Sequence, residues 1–124
     1  MKRFKVTVTT AADGTATAYT PRFSGKICQI EYVKDAANAF AAGVDFTLTG
    51  EATGINLWTE SNVDASAVRA PRQATHSQAG AAVLYAAGGT GVMDKIAAAN
   101  DRVKIAIAQG GNGKVGVFHV LVEG

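Results

Sequence analysis

Short segments of alternating polarity, separated by turn-forming residues, limit what this chain can fold into more than any other feature of its sequence. The segment RFKVTVTT shows the pattern, with apolar side chains at every second position, at Phe4, Val6 and Val8. This period of two is typical of a β-strand with one buried face. About seven to nine such strands, with turn signals roughly every 8–12 residues, predict an all-β fold. We expect an antiparallel β-sandwich, jelly-roll-like, with one long extended loop or arm.

The predicted strands follow one another along the whole chain outside that loop. They are RFKVTVTT, TATAYTP, GKICQIEYVKD, VDFTLTG, GINLWTES, GVMDKIAA, RVKIAIAQ and KVGVFHVLV. Turns are predicted at residues 12–14, 99–101 and 110–113, because their Asp, Asn and Gly residues tolerate the backbone conformations of tight turns. Residues 36–43, AANAFAAG, fit either one or two helical turns or a loop. The last strand is apolar on both faces, which indicates a strand covered on both sides.

Two individual side chains bear on how these strands pack. In GKICQIEYVKD, alternation places Cys28 on the same face as Ile30 and Tyr32, with Ile27 on the opposite face, so we expect a buried, inert thiol. Trp58 falls on the face opposite its neighbour Leu57. It therefore lies either under a second layer or at an interface.

Composition narrows the class of protein. The 124 residues are enough for one domain with a single core, spanning residues 1–124. Charged residues make up 18%, below the roughly 25% of an average soluble domain, which suggests a surface that contacts another protein, although a low-charge monomer is the alternative. A net charge of +2 without a long basic run gives little support for nucleic-acid binding. We expect no membrane span, since the uncharged stretch at residues 79–93 is interrupted by glycines and is too short.

No motif in the sequence predicts catalysis, a cofactor or a metal. AQGGNGKV lacks the first glycine and the Ser or Thr of a phosphate-binding loop, and a strand follows it rather than a helix. His76 and His119 lie far apart in sequence, and His119 fits a satisfied histidine of a core or edge strand. Carboxylates cluster loosely around one hairpin, but they lack the spacing of a calcium loop. We therefore expect a protein that is not an enzyme.

The most informative segment is the arm, residues 62–89, which has neither a strand nor a helix period. Connections longer than about 12–15 residues are uncommon in compact domains and are often functional. Arginines flank a stiffening proline, and arginine is a fork-shaped donor for carboxylates on another surface. The predicted interface residues are Val68, Arg69, Pro71, Arg72, His76 and Tyr85. The alternative is a loop folded back on its own domain, with a short helix at residues 79–87.

Three segments resemble small virion proteins encoded by tailed bacteriophages and prophages of proteobacteria. They are GVDFTLTGEATG, VRAPRQATHSQAGAAVLYAAGG and DRVKIAIAQGGNGKVGVFHV, and the likeness covers most of the chain from about Ala42 onward. The most specific role that the resemblance implies is capsid decoration, in which a jelly-roll-like cement protein binds the outside of the major capsid protein lattice. It implies a homo-oligomer, a dimer or trimer, made in the host cytoplasm and located on the capsid exterior.

Two other roles remain open at this stage. One is a head–tail connector or another tail-associated structural protein. The other is a host-surface or glycan-binding module, which needs exposed aromatic platforms, and Tyr19 and Trp58 are the candidates in this sequence.

Overall fold

All 124 residues are described by the computed structural model, which consists of ten β-strands and no helix. The strands are β1 (Lys2–Thr9), β2 (Ala16–Tyr19), β3 (Phe23–Lys34), β4 (Asp45–Gly50), β5 (Asn56–Glu60), β6 (Ala67–Arg69), β7 (Arg72–Ala74), β8 (Met93–Asp101), β9 (Val103–Ala108) and β10 (Val115–Glu123). They form a six-stranded and a four-stranded antiparallel sheet. The prediction of an all-β sandwich is confirmed.

The order of the strands is that of a hairpin ribbon rolled up. Four antiparallel pairs nest inside one another, β1 with β10, β2 with β9, β3 with β8 and β4 with β5. The ribbon turns back at residues 51–55, between β4 and β5. Rolling it places the pairs alternately in the two sheets, with orders β1-β10-β3-β8 and β2-β9-β4-β5, which is the jelly-roll arrangement. The two short strands β6 and β7 are additions to the larger sheet.

An aromatic cluster fills the centre of the core between the sheets. Phe46 is fully buried, and its ring meets those of Tyr32, Phe40, Trp58 and Phe118 edge to face, with centroids 4.8–6.0 Å apart. Edge-to-face contacts between aromatic rings add to the free energy gained by burying them. Trp58 is 5% exposed, so it belongs to the core and not to an interface.

Two β-bulges explain where strict alternation fails. In β3, Ile27 and Gln29 pair with the consecutive residues Val122 and Leu121, so Cys28 is an extra residue. Ile27 therefore joins the core at 2% exposure, whereas Cys28 is only half-buried, and the prediction for both side chains was wrong. In β5 the extra residue is Leu57, which lets it and Trp58 both point into the core.

Residues 36–43 form a loop, which decides between the two predicted alternatives. Asp35 accepts hydrogen bonds from the backbone N–H groups of Ala37 and Asn38, and these bonds fix the start of the loop. The loop delivers Phe40 into the core at 5% exposure. Gly116 of β10 provides the space, because a side-chain carbon there would collide with the Phe40 ring.

The predicted turns at 12–14 and 110–113 are present, but residues 99–101 behave differently. They form the end of β8, where Asn100 has a φ of 46° and the chain crosses from one sheet to the other through Arg102. Asp101 is buried at this corner and accepts hydrogen bonds from the backbone of Ala52 and Arg102.

Candidate interaction surface

The arm connects β5 to β8, and its first half is anchored to the larger sheet. Three residues of β6 pair with β3, and three residues of β7 pair with β8. Pro71, between the two strands, is buried. Residues 67–69 and 72–74 of the arm thus form short strands, although the sequence shows no strand period there.

Arg69 is held within the chain by the carboxylate of Glu60. Its Nε and one Nη lie 2.9 Å from the two carboxylate oxygens, and its guanidinium lies 5.4 Å from the centre of the Trp58 ring. The hydrogen bonds from Arg69 lower the pKa of Glu60, and the same bonds raise the pKa of Arg69. Glu60 of the same chain thus occupies the fork that Arg69 was predicted to offer to another molecule.

The other predicted residues near the base of the arm have different surroundings. Arg72 is exposed and donates hydrogen bonds to the carbonyl oxygens of Cys28 and Pro71, at 3.0 and 2.7 Å. No carboxylate pairs with it inside the chain. Val68 is 55% exposed and lies beside Glu31 of β3. These two side chains remain available to a partner.

The outer half of the arm continues into a double hairpin, which we define as residues 75–92. Thr75 and Val92 close its base, since the Thr75 N–H donates to the Val92 carbonyl at 3.0 Å. One turn lies between His76 and Ala82, which form an isolated bridge, and a second between Leu84 and Gly91. The alternative of a short helix at residues 79–87 is therefore wrong.

The double hairpin has hydrogen bonds but no core of its own. Every residue from 76 to 90 is exposed, including His76. Val83 is 41% exposed, Leu84 is 40% exposed and Tyr85 is 75% exposed. Short hairpins without a packed face are marginal in water because ordering the backbone costs about 1–2 kcal/mol per residue. A partner that covers these side chains would supply the missing burial.

The charge of this region has one sign. From residue 65 to residue 93 the chain contains no Asp or Glu, whereas Arg69, Arg72 and His76 lie within it. Since Arg69 is neutralised by Glu60, the positive charge left near the base of the double hairpin is that of Arg72. A partner surface with an apolar centre and an acidic rim would complement it.

The predicted interface set is thus divided by the structure. Val68, Arg69, Pro71 and Arg72 lie at the anchored base, and His76 and Tyr85 lie in the double hairpin. Val83, Leu84 and Met93 belong with Tyr85 by exposure but were not in the predicted set. The run VLY, within a segment of small residues, was the signal that could have found the first two.

The other sites considered in the sequence are not assembled. The carboxylates around the β4–β5 hairpin pair with separate partners: Glu51 with Arg22 and Arg102, Glu60 with Arg69, and Asp64 with Lys34. No group of three or more His, Cys, Asp or Glu side chains is placed to hold a metal ion. The basic residues do not form one patch, since Lys5 of β1 and Lys104 of β9 lie in different sheets.

Comparison of the chain with protein-family models, with curated proteins and with solved structures finds no match. The structure also contains no helix that could span a lipid bilayer.

Proposed function

We propose that this protein is a capsid decoration protein of a tailed bacteriophage, which binds the outside of the major capsid protein lattice through its double hairpin. The observation that carries the proposal is the exposure of Val83, Leu84 and Tyr85 on a hydrogen-bonded projection that has no core. Large apolar side chains on an ordered projection are typical of a contact surface. The resemblance of three segments to phage virion proteins supplies the identity of the partner.

The mechanism is adhesion, and no covalent bond is made or broken. The sandwich supplies a rigid body, and the double hairpin supplies a wedge whose apolar side chains enter a gap between capsid subunits. A single contact of this size is expected to be weak, but many copies on one lattice stabilise it together. Because the copies bind the assembled lattice and not its free subunits, they stabilise the shell by mass action.

Arg72 has a supporting role in this proposal. It lies at the base of the wedge, and no carboxylate of its own chain neutralises it. A carboxylate on the rim of the capsid gap would pair with it bidentately, which fixes the orientation of the wedge more than it adds affinity.

The first experiment tests the wedge directly. Purified protein is mixed with shells that lack it, and co-sedimentation and the melting temperature of the shells are measured. The wild type should bind in a fixed ratio and raise the melting temperature, whereas Leu84→Ser with Tyr85→Ser should bind at least about tenfold more weakly. Tyr19→Ser, which removes an exposed aromatic ring from the other sheet, is the matched control and should bind normally.

A deletion separates binding from folding. Thr75 and Val92 are hydrogen-bonded to each other, so residues 76–91 can be replaced by an Asn-Gly turn. This variant should keep the sandwich folded and lose shell binding. Undiminished binding by the deletion variant would reject the wedge as the contact with the shell.

The two rival roles make different predictions. A connector would form a closed ring in solution in the absence of shells, which sedimentation detects. A glycan-binding module needs an aromatic platform; Trp58 is buried, and Tyr19 is covered by the guanidinium of Arg102 at 4.0 Å from its ring centre. Both observations count against the aromatic platform that the sequence suggested at Tyr19 and Trp58.

A further inference from the structure

We infer that the outer face of the larger sheet binds the same face of a second copy of this chain, in a two-fold symmetric dimer. This face is formed by the side chains of β1, β10, β3 and β6 that point away from the core. The inference concerns a surface other than the double hairpin, and it holds or fails independently of the proposed capsid role.

The centre of the outer face is an apolar ridge on β10. Its even-numbered residues from Gly116 to Val122 are buried against the core, so its odd-numbered residues point outward. The outward set is Val115, Val117, His119 and Leu121, all of them half-buried. Val33 on β3 and Val68 on β6 extend the apolar surface and are 44% and 55% exposed. This explains why the last strand is apolar on both of its faces.

Opposite charges flank this ridge in one row across the sheet. Lys5 of β1 pairs in register with His119, and His119 pairs with Glu31 of β3 on its other side. Lys5 and Glu31 therefore lie roughly 10 Å apart, two strand spacings, with β10 between them. None of the ion pairs within the chain includes either residue.

A two-fold axis along β10 brings these charges together. Such an axis places the β10 strands of the two copies against each other. Because β1 and β3 flank β10, β1 of each copy then lies over β3 of the other. Lys5 of each copy then faces Glu31 of the other, and the Val117 and Leu121 side chains of the two ridges meet at the centre. Sheets that pack face to face cross at about −30°, an angle small enough to keep this row aligned near the axis.

Other groups on the face fit the same arrangement. Arg3, which pairs in register with Leu121, would face the uncharged Gln29 of the second copy. His119 has a buried Nδ1 atom without a hydrogen-bond partner, which corrects the expectation of a satisfied histidine.

The overlapping area fits a weak dimer. Eight residues of β1 are paired with β10, which gives a length of roughly 27 Å, and the three strands that overlap about this axis, β1, β10 and β3, give a width of roughly 14 Å. The product is about 400 Å² per copy, or about 800 Å² in total, in the range of weak, transient interfaces. We therefore expect a dimer that dissociates on dilution.

The experiment is a charge swap followed by sedimentation velocity over a concentration series, without shells. Lys5→Glu alone and Glu31→Lys alone each place like charges at both symmetric contacts, so each variant should dimerise at least about tenfold more weakly than the wild type. Mixing the two variants restores both attractive pairs and should give a heterodimer. The double variant Lys5→Glu with Glu31→Lys should again form a homodimer.

Two control variants show whether a change in dimerisation comes from the proposed face. Lys104→Glu makes the same charge change on the smaller sheet and should leave dimerisation unchanged. The variant without residues 76–91 should still dimerise, which separates this inference from the shell-binding test. A wild type that stays monomeric at every concentration, or single variants that dimerise normally, or a mixture of folded variants that fails to pair, would each overturn the inference.

Discussion

The sandwich and the double hairpin use hydrogen bonds in the same way but differ in what lies beneath them. Phe46 in β4 is fully buried among four aromatic rings, whereas Tyr85 in the double hairpin is 75% exposed. Both have paired backbone groups, Phe46 within β4 and Tyr85 through its N–H, which donates to the Thr90 carbonyl. The difference shows that backbone pairing determines the shape of a segment and that burial determines how strongly the shape is held.

The largest expected change in stability comes from a substitution in the core of the sandwich. Phe46→Ala should lower the free energy of unfolding by about 3–5 kcal/mol, because it removes a buried ring and leaves a cavity between the sheets. Urea denaturation measures the change. Tyr85→Ala is the control and should change the free energy of unfolding by less than about 0.5 kcal/mol. A large loss in that variant would mean that the double hairpin is part of the cooperative core.

Gly116→Ala should have the next largest effect. The added carbon would lie 2.7 Å from Cζ of Phe40 and 3.0 Å from Cε1 of Tyr32, so the rings must move. We expect a loss of about 1–3 kcal/mol in the free energy of unfolding. Gly91→Ala in the double hairpin is the matched control, because nothing lies within 4 Å of its new carbon. Equal melting temperatures for the two variants would contradict the packing described around Phe40.

Glu60→Gln tests the contact that anchors the base of the arm. The ion pair between Glu60 and Arg69 is partly exposed, at 36% for the Glu60 side chain. Its loss should lower the free energy of unfolding by no more than about 1 kcal/mol. Hydrogen exchange in β6 should become faster, while exchange in β4 should not change. Asp64→Asn, which breaks the longer 3.5 Å pair with Lys34, is the control and should have a smaller effect.

The ion pair between Glu60 and Arg69 also predicts that the stability of β6 depends on pH. The pKa of Glu60 is lowered in the folded protein by its hydrogen bonds from Arg69 and Trp58. Its contribution to stability is therefore complete above the unfolded pKa of about 4.3 and is lost as the pH falls through the lower folded pKa. The protection of the β6 amides, measured relative to their intrinsic exchange rate at each pH, should fall in that acidic range in the wild type. In Glu60→Gln this acid-dependent part should disappear, and its persistence would assign it to another carboxylate.

The smallest expected effect is that of removing the double hairpin. Replacing residues 76–91 by a turn should change the free energy of unfolding of the sandwich by less than about 1 kcal/mol, because none of the removed side chains belongs to the core. Thermal and urea denaturation measure it. A loss of several kcal/mol would show that the projection supports the sandwich.

Strands with a clear period of two were predictable, and β1 and β9 lie where alternation placed them. Ile27 and Cys28 were assigned to the wrong faces of β3, and Trp58 to the face opposite Leu57, because each bulge adds one residue and changes the face of its neighbours. The strands β6 and β7 have only three residues each, which is too few to show a period. The pairing of Glu60 with Arg69 depends on where β5 and the start of the arm meet in space. No local pattern in the sequence predicts this contact.

The rolled ribbon also limits when this protein can fold. Lys2 pairs with Val122, and β10 is the strand that separates β1 from β3. A growing chain on the ribosome therefore has a gap in the middle of its larger sheet until β10 has emerged. The sheet must form from contacts distant in sequence once β10 is available, so we expect slow folding and a severe penalty for loss of any part of β10.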